Sequence, residues 1–226
     1  MTTAAIKNSR RARPKSASRP AARTKGGTRA KRSAERHDAI LSAALEEFSG
    51  RGFAATRLDD VARRAGVAKG TIYLYFADKE TLFQELARSM LSPVVGHIEG
   101  FNAADLPFRV LAERLIEMFV RDIIGSRRKD IIRLIIAEGP RFPALAEFYY
   151  REVLSRVMAA IGALLQRAYD RGEIRHEALA RYPQLFAAPA LIAIIWSGLF
   201  ERFSPLDARA MLRTHLDMIL DERAVP

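Results

Sequence analysis

The 226-residue chain has no cysteine, a single tryptophan and only four histidines. Without a thiol there is no disulfide framework, no cysteine nucleophile and no thiolate metal site. His37, His97, His176 and His215 are scattered, no Glu-x-x-His repeat accompanies them, and neither a phosphate loop nor a Gly-x-Ser-x-Gly elbow occurs. The chain is therefore not expected to be an enzyme, and no catalytic residue, metal or cofactor is expected. Long apolar runs are also missing. The longest, residues 185–200, contains Pro189 and Ser197 and is shorter than the ~20 residues that span a bilayer. Residues 1–34 hold no apolar stretch for a secretory signal, so a cytoplasmic protein without a membrane partner is expected.

Negative charge is absent from the first 34 residues, which carry 11 Lys and Arg. The remaining 26 basic residues are balanced by 26 acidic ones, so the net charge of +11 resides in this arm. Pro14, Pro20, Gly26, Gly27 and many Ser, Thr and Ala residues, with Ile6 the one large aliphatic after Met1, leave nothing to bury, and residues 1–34 are expected to be disordered in isolation. An inert solubilising tail and a transit-peptide mimic are rival readings. The preferred one is an electrostatic arm that follows DNA phosphates or reaches a minor groove, supplying long-range attraction that the neutral remainder lacks.

What is present is helical periodicity, concentrated first in residues 56–82. Thr56 is suited to cap a short helix, with Asp59 three residues on. Leu58, Val61, Ala62 and Ala65 fall on one face of it. Ala62 is small where two helices would cross, and Gly66 suits the left-handed position that ends a helix. A second helix over about 69–76 has Ile72 as its strongly apolar inward residue and turns Lys69, Thr71, Tyr73 and Tyr75 outward, a surface suited to phosphates and base edges. Asp78 then caps a third helix carrying Leu82, Phe83 and Leu86. Two short helices meeting at an angle are the helix-turn-helix geometry that inserts a helix into the major groove.

The amphipathic helix of Ile40, Leu41, Ala44, Leu45 and Phe48, the following Gly52-Phe53 and Thr56, then Val61-Ala62, Gly66-Val67, Thr71, Tyr73, Phe76, Lys79 and Leu82 together resemble the TetR family of bacterial transcriptional regulators. The resemblance covers residues of about 35–90. It implies an all-α fold: a three-helix DNA-binding domain at 35–82 and a helical ligand-binding and dimerisation domain at 83–226. It also implies roles. Thr56 would meet a phosphate at a helix N-terminus, and Arg57 a phosphate or base edge. Lys69, Gly70 and Thr71 would open the recognition helix, Lys69 pairing with guanine and Thr71 meeting a thymine methyl. Tyr73 and Tyr75 would contact phosphate or sugar, and Lys79 would clamp a phosphate. Ala68 departs from the Ser or Thr cap common in the family, leaving the recognition helix without a side-chain cap.

Beyond residue 90, proline and glycine punctuate helical patterns expected over 107–125, 127–137, 143–171, 183–203 and 205–220, which brings the total to about nine helices. The TetR resemblance implies an apolar ligand cavity among the middle helices, for which Phe101, Met118, Phe119, Arg133, Ile136, Phe142, Tyr149, Met158 and Trp196 are candidate lining. Each also reads as ordinary core, and Arg133 reads as either a solvated face, the preferred reading, or an anchor for an anionic ligand. Residues 137–143 are expected to redirect the chain, and they resemble a turn recurrent in one TetR subgroup. The resemblance further implies that the last two helices pair with a second copy, here through Leu185, Ile192, Trp196, Leu199, Phe200, Leu212, Leu216 and Ile219; a central core helix in a monomer is the other reading of residues 183–203. The expected function is a homodimeric repressor on a palindromic operator, released by a small apolar or amphipathic effector. A sequence-tolerant architectural DNA-binding protein, using the arm, is the alternative.

Overall fold

The computed structural model describes Met1 and residues 25–220, with side chains from residue 31 onward. Among the described residues there are eleven α-helical segments and no strand, in line with the all-α expectation. They are α1 Lys25–Ala55, α2 Leu58–Arg64, α3 Lys69–Tyr75, α4 Lys79–Gly100, α5 Phe108–Phe119, α6 Arg128–Glu138, α7 Pro143–Tyr149, α8 Ser155–Asp170, α9 Glu177–Arg181, α10 Gln184–Leu199 and α11 Ala208–Leu220. The chain divides into two units, Met1–Glu35 and Arg36–Pro226. Within the first, α1 begins at Lys25, inside the basic arm of residues 1–34. Lys, Arg, Ala and Glu dominate this stretch and favour helix, with Lys31 and Glu35 paired one turn apart at 4.0 Å. Residues 2–24 of the arm lie outside the described residues.

In the second unit, α1 buries Ile40, Ala44 and Phe48 along one stripe. It breaks at Gly52, whose φ of 77° is a left-handed value that glycine adopts without a Cβ penalty. The break changes the expected start of α2. The Thr56 hydroxyl donates to the Gly52 carbonyl at 2.8 Å, and Arg57 is the cap residue, with no side-chain cap bond. Thr56 is thus not the cap; a carbonyl released by the break one turn back claims its proton. Gly66, at φ 68°, ends α2 as expected. Its N–H bonds to Arg63 and that of Val67 to Ala62, the paired pattern of a Schellman stop. Ile72 of α3 is fully buried, and Ala68 caps α3 without a side-chain bond.

Asp78 caps α4, its Oδ1 accepting the Thr81 N–H at 2.7 Å. That bond holds its carboxyl below the ordinary value of 3.8. A depressed folded-state pKa contributes stability above the unfolded value, lost as pH falls through the folded one. Asp78→Ala is expected to cost about 1 kcal/mol near neutrality. In urea unfolding, its gap from the parent should narrow progressively as pH falls below 3.8; a gap that does not shrink on acidification would reject the cap as its source.

One continuous core runs from Ile40 to Leu216. α4 carries it from head to body, packing against α6, α7 and α8, while α5 packs on α11 and α10 touches α6 and α11. The helix expected over 143–171 is α7 and α8 joined by a π-turn at Tyr150–Leu154, and α5 continues into a second π-turn at Val120–Ile124. Each wider turn shifts which face points inward, which a regular helical period does not reveal. The helix expected to reach 203 stops at Leu199, because Trp196 Nε1 donates to the Ser204 carbonyl at 2.6 Å and folds the chain back. α11 starts at Ala208 rather than 205, with Asp207 accepting the Ala210 N–H at 2.9 Å.

Candidate nucleic-acid interface and its body

On α3, helical geometry puts Gly70 and Leu74 farthest from the buried Ile72, flanked by Thr71 and Tyr73. The exposures follow. Leu74 is 84% exposed, Tyr73 is exposed, and Thr71 and Tyr75 are half-buried. Tyr75 turns back towards α1, its ring 6.1 Å from that of His37. Leu74, the most exposed side chain of α3, is not among the polar residues expected on this surface. The signal was available: an apolar residue two positions after the inward Ile72 has no core to face.

Two expected DNA contacts are engaged within the protein. Thr56 is only 2% exposed. Lys79 Nζ donates to the Phe53 and Ala54 carbonyls at 3.0 Å each and lies 4.7 Å above the Phe53 ring. Both residues hold the head together at the α1 break, where orphan helix-end carbonyls need donors. Lys69 is exposed and donates to Asp59 Oδ2 at 2.8 Å, linking α2 to α3. This bond lowers the Asp59 carboxyl and raises the Lys69 ammonium from their ordinary values. Arg57 and Gly70 are exposed beside it. A surface pair of this kind contributes little to stability, so Lys69 can exchange its carboxylate for a phosphate or guanine. Behind the interface, the buried Glu47 of α1 accepts Arg64 Nε at 2.6 Å and lies 3.4 Å from Arg51 Nε, locking α2 onto α1.

In the body, the expected cavity-lining residues do not converge. Phe101 and Met118 line an open groove of about 780 Å³ between the end of α4 and α5, with His97, Arg109, Glu113 and Arg121 at its rim. Phe119, Tyr149 and Met158 pack as half-buried side chains against the core; burial pushes the Tyr149 phenol up to about 12. The other four lie in separate surroundings. Ile136 is exposed. Phe142 packs on Phe53 of the head at 4.8 Å between ring centres, because the α6–α7 turn reaches the α1 break. Trp196 packs on Phe200 at 5.1 Å. Arg133, expected on a solvated face, pairs with Asp130 and lies against Gly198 of α10, the side chain that crosses there having no Cβ to meet.

The expected dimer face also divides. On α10 and just after it, Leu185, Leu191, Ile192, Leu199 and Phe200 are exposed, Ile192 by 49%. On α11, Leu212 and Leu216 are 7% and 1% exposed, and Ile219 packs against the core. Leu212 and Leu216 are therefore inward residues, because α11 lays that stripe on α5. The outward side of α11 is Met211, Thr214, His215 and Met218, which with Ala188, Pro189 and Ile192 lines a groove of about 470 Å³. Among the described residues, no helix is long and apolar enough to cross a membrane.

Comparison with known proteins gives these features a common setting. A family model for bacterial regulatory proteins of the tetR family matches residues 40–86, and one for a tetracyclin repressor-like C-terminal domain matches residues 112–217. The chain is 30% identical over 179 residues to the HTH-type transcriptional repressor BepR of Brucella suis, covering 74% of this chain and 80% of that protein. It is 36% identical over 129 residues to the HTH-type transcriptional regulator RutR of Escherichia coli K12, spanning 57% of this chain and about half, 53%, of the relative. Among solved structures, a TetR-family regulator from Mesorhizobium loti aligns with a TM-score of 0.66 and 26% identity, over 84% of this chain and 96% of the other.

Proposed function

The chain belongs to the TetR family of bacterial regulatory proteins, DNA-binding regulators of transcription, and from that premise we propose that it is a homodimeric cytoplasmic repressor of a palindromic operator, released by a small-molecule ligand. The observation that carries the reading is the pairing of two exposed surfaces. One is the outward face of α3, which presents Gly70, Thr71, Tyr73 and Leu74 on a core-anchored helix. The other is the apolar face of α10 with Met218 of α11, an area that water penalises and a twofold copy would cover. A dimer of that kind holds two recognition helices ~34–36 Å apart, one per major groove on the same side of the duplex. A small apolar or amphipathic effector entering the body would shift α4 and break this match. Operator must then weaken effector binding by the factor by which effector weakens operator binding.

Base reading falls to Lys69, Thr71, Tyr73 and Leu74, with Arg57 and Gly70 at the backbone. The residues of the basic arm supply attraction common to all sequences. The sequence-tolerant architectural reading gains no support from the relatives, which are named transcriptional regulators and repressors.

Selection of bound fragments from genomic DNA, followed by titration of the selected site against random duplex at physiological salt, tests the proposal. A regulator should discriminate by ~10³ or more; equal affinity for both duplexes would reject it. Leu74→Ala should then lower affinity for the selected site about tenfold, the scale of one lost base contact, while leaving random-duplex binding unchanged. If Leu74 packs on a thymine methyl, replacing thymine by uracil at that step should weaken the parent more than the variant, which has already lost most of that contact. Equal sensitivity of both proteins to uracil would exclude Leu74 from the contact.

A further inference from the structure

α6 is fastened along α1 at both ends. At its start, Arg127 Nη1 donates to Glu46 Oε1 at 2.7 Å. At its end, Glu138 Oε1 accepts the Phe53 N–H at 3.1 Å. On a different side of the same helix, Arg133 lies against Gly198 of α10. One short helix therefore touches both the DNA-reading head and the helix that bears the exposed apolar face.

The α1 break is built around the bond to Glu138. Leaving helical geometry at Gly52 interrupts the α1 ladder and turns the Phe53 N–H towards α6. Gly52 is constrained twice, by its positive φ and because a Cβ there would stand 2.7 Å from Glu138 Oε1. Lys79, from the first turn of α4, holds the Phe53 and Ala54 carbonyls. Phe142, from the turn that follows Glu138, packs edge-on against the Phe53 ring. The backbone of one head residue is thus gripped from α4 and α6 at once.

We propose that Glu138 is a positioning residue for DNA reading: through the Phe53 amide it sets the angle of the α1–α3 head on the body, and movement of the α6–α7 turn releases that angle. The proposal rests on the DNA-reading function above. Two heads can enter consecutive major grooves only over a narrow range of head angles. A head freed from α6 samples a wider range, the competent fraction falls, and apparent affinity falls with it.

The absence of cysteine makes the test clean. Arg63→Cys in α2 and Arg175→Cys in the body are both exposed positions and accept one spin-label pair per chain. Labelled chain is diluted into unlabelled chain, and the head–body distance distribution is measured by pulsed electron resonance without DNA. Glu138→Ala is expected to broaden the distribution and to lower affinity for the selected operator on the order of tenfold, within the usual range of coupling between sites. Tm should fall by only about 2–4 °C, the effect of one hydrogen bond in a chain of this size. Glu138→Gln keeps an oxygen acceptor and should retain the narrow distribution and most of the affinity. If the alanine variant does not fold, Glu138→Asp withdraws the carboxylate by one methylene and should broaden the distribution in its place. An alanine or aspartate variant as narrow as the parent, or a glutamine variant as broad as alanine, would overturn the assignment. A parent protein that selects no operator would reject the DNA-reading function instead, and the DNA-free distances would still decide on Glu138.

Discussion

Ile192→Asp is expected to convert the protein to a monomer and to lower operator affinity by ~10³ or more, the margin that separates specific from non-specific binding. Ile192 lies half-exposed on α10 among Leu185, Leu191 and Leu199, and it lines the groove that Met218 borders from α11. In a twofold interface the substitution occurs twice. Each carboxylate would lose its water on association at a cost of several kcal/mol, with no cation opposite to offset it. The isolated chain should fold normally, since Ile192 contributes little to its own core. A monomeric head then reads a single half-site. Sedimentation velocity and operator titration on the same sample make the check. A monomer that keeps parental operator affinity would sink the dimer mechanism, and an undisturbed dimer would move the interface away from α10.

Phe53→Ala is expected to have the largest effect on stability. The ring is fully buried, with centres 5.5 Å from Phe48, 5.8 Å from Phe83 and 4.8 Å from Phe142. Removing a buried phenyl costs about 3–5 kcal/mol in transfer and cavity terms, and the edge-on partners add ~0.5–1.5 kcal/mol per pair. For a chain of this size the sum, about 4–8 kcal/mol, corresponds to a fall in Tm of roughly 8–32 °C. The Lys79 ammonium loses its ring as well but keeps its two carbonyls, so the local backbone should persist. Thermal unfolding followed by circular dichroism measures the change. A fall under about 3 °C would mean that the site collapses around the smaller residue and that the aromatic cluster is not what ties head to body.

Where sequence reasoning succeeded, the signal was local. Gly66 ends α2 because only its own φ matters, Asp78 caps α4 with an N–H three residues away, and Ile72 is inward because α3 has one apolar anchor. It was silent where a side chain had several possible partners. Thr56 and Lys79 carry groups that suit a phosphate, and nothing in their neighbourhood announces that a broken helix end would take them first. The sequence could not separate the exposed Met218 from the buried Leu216 for a related reason. α11 has apolar residues on two sides, and the pattern cannot say which side meets α5. The π-turns at Val120–Ile124 and Tyr150–Leu154 hide in the same way, as shifts of face within an unbroken helical pattern.

The residues alone determined an all-helical chain with a helix-turn-helix, because periodicity, caps and a left-handed glycine act over a few residues. Tertiary structure alone decided which stripe of α11 is core and which polar side chains of the head bond within the chain. It also decided that Glu138 meets an amide 85 residues away. Such pairings depend on packing between distant helices, and no local preference encodes which donor will find which acceptor.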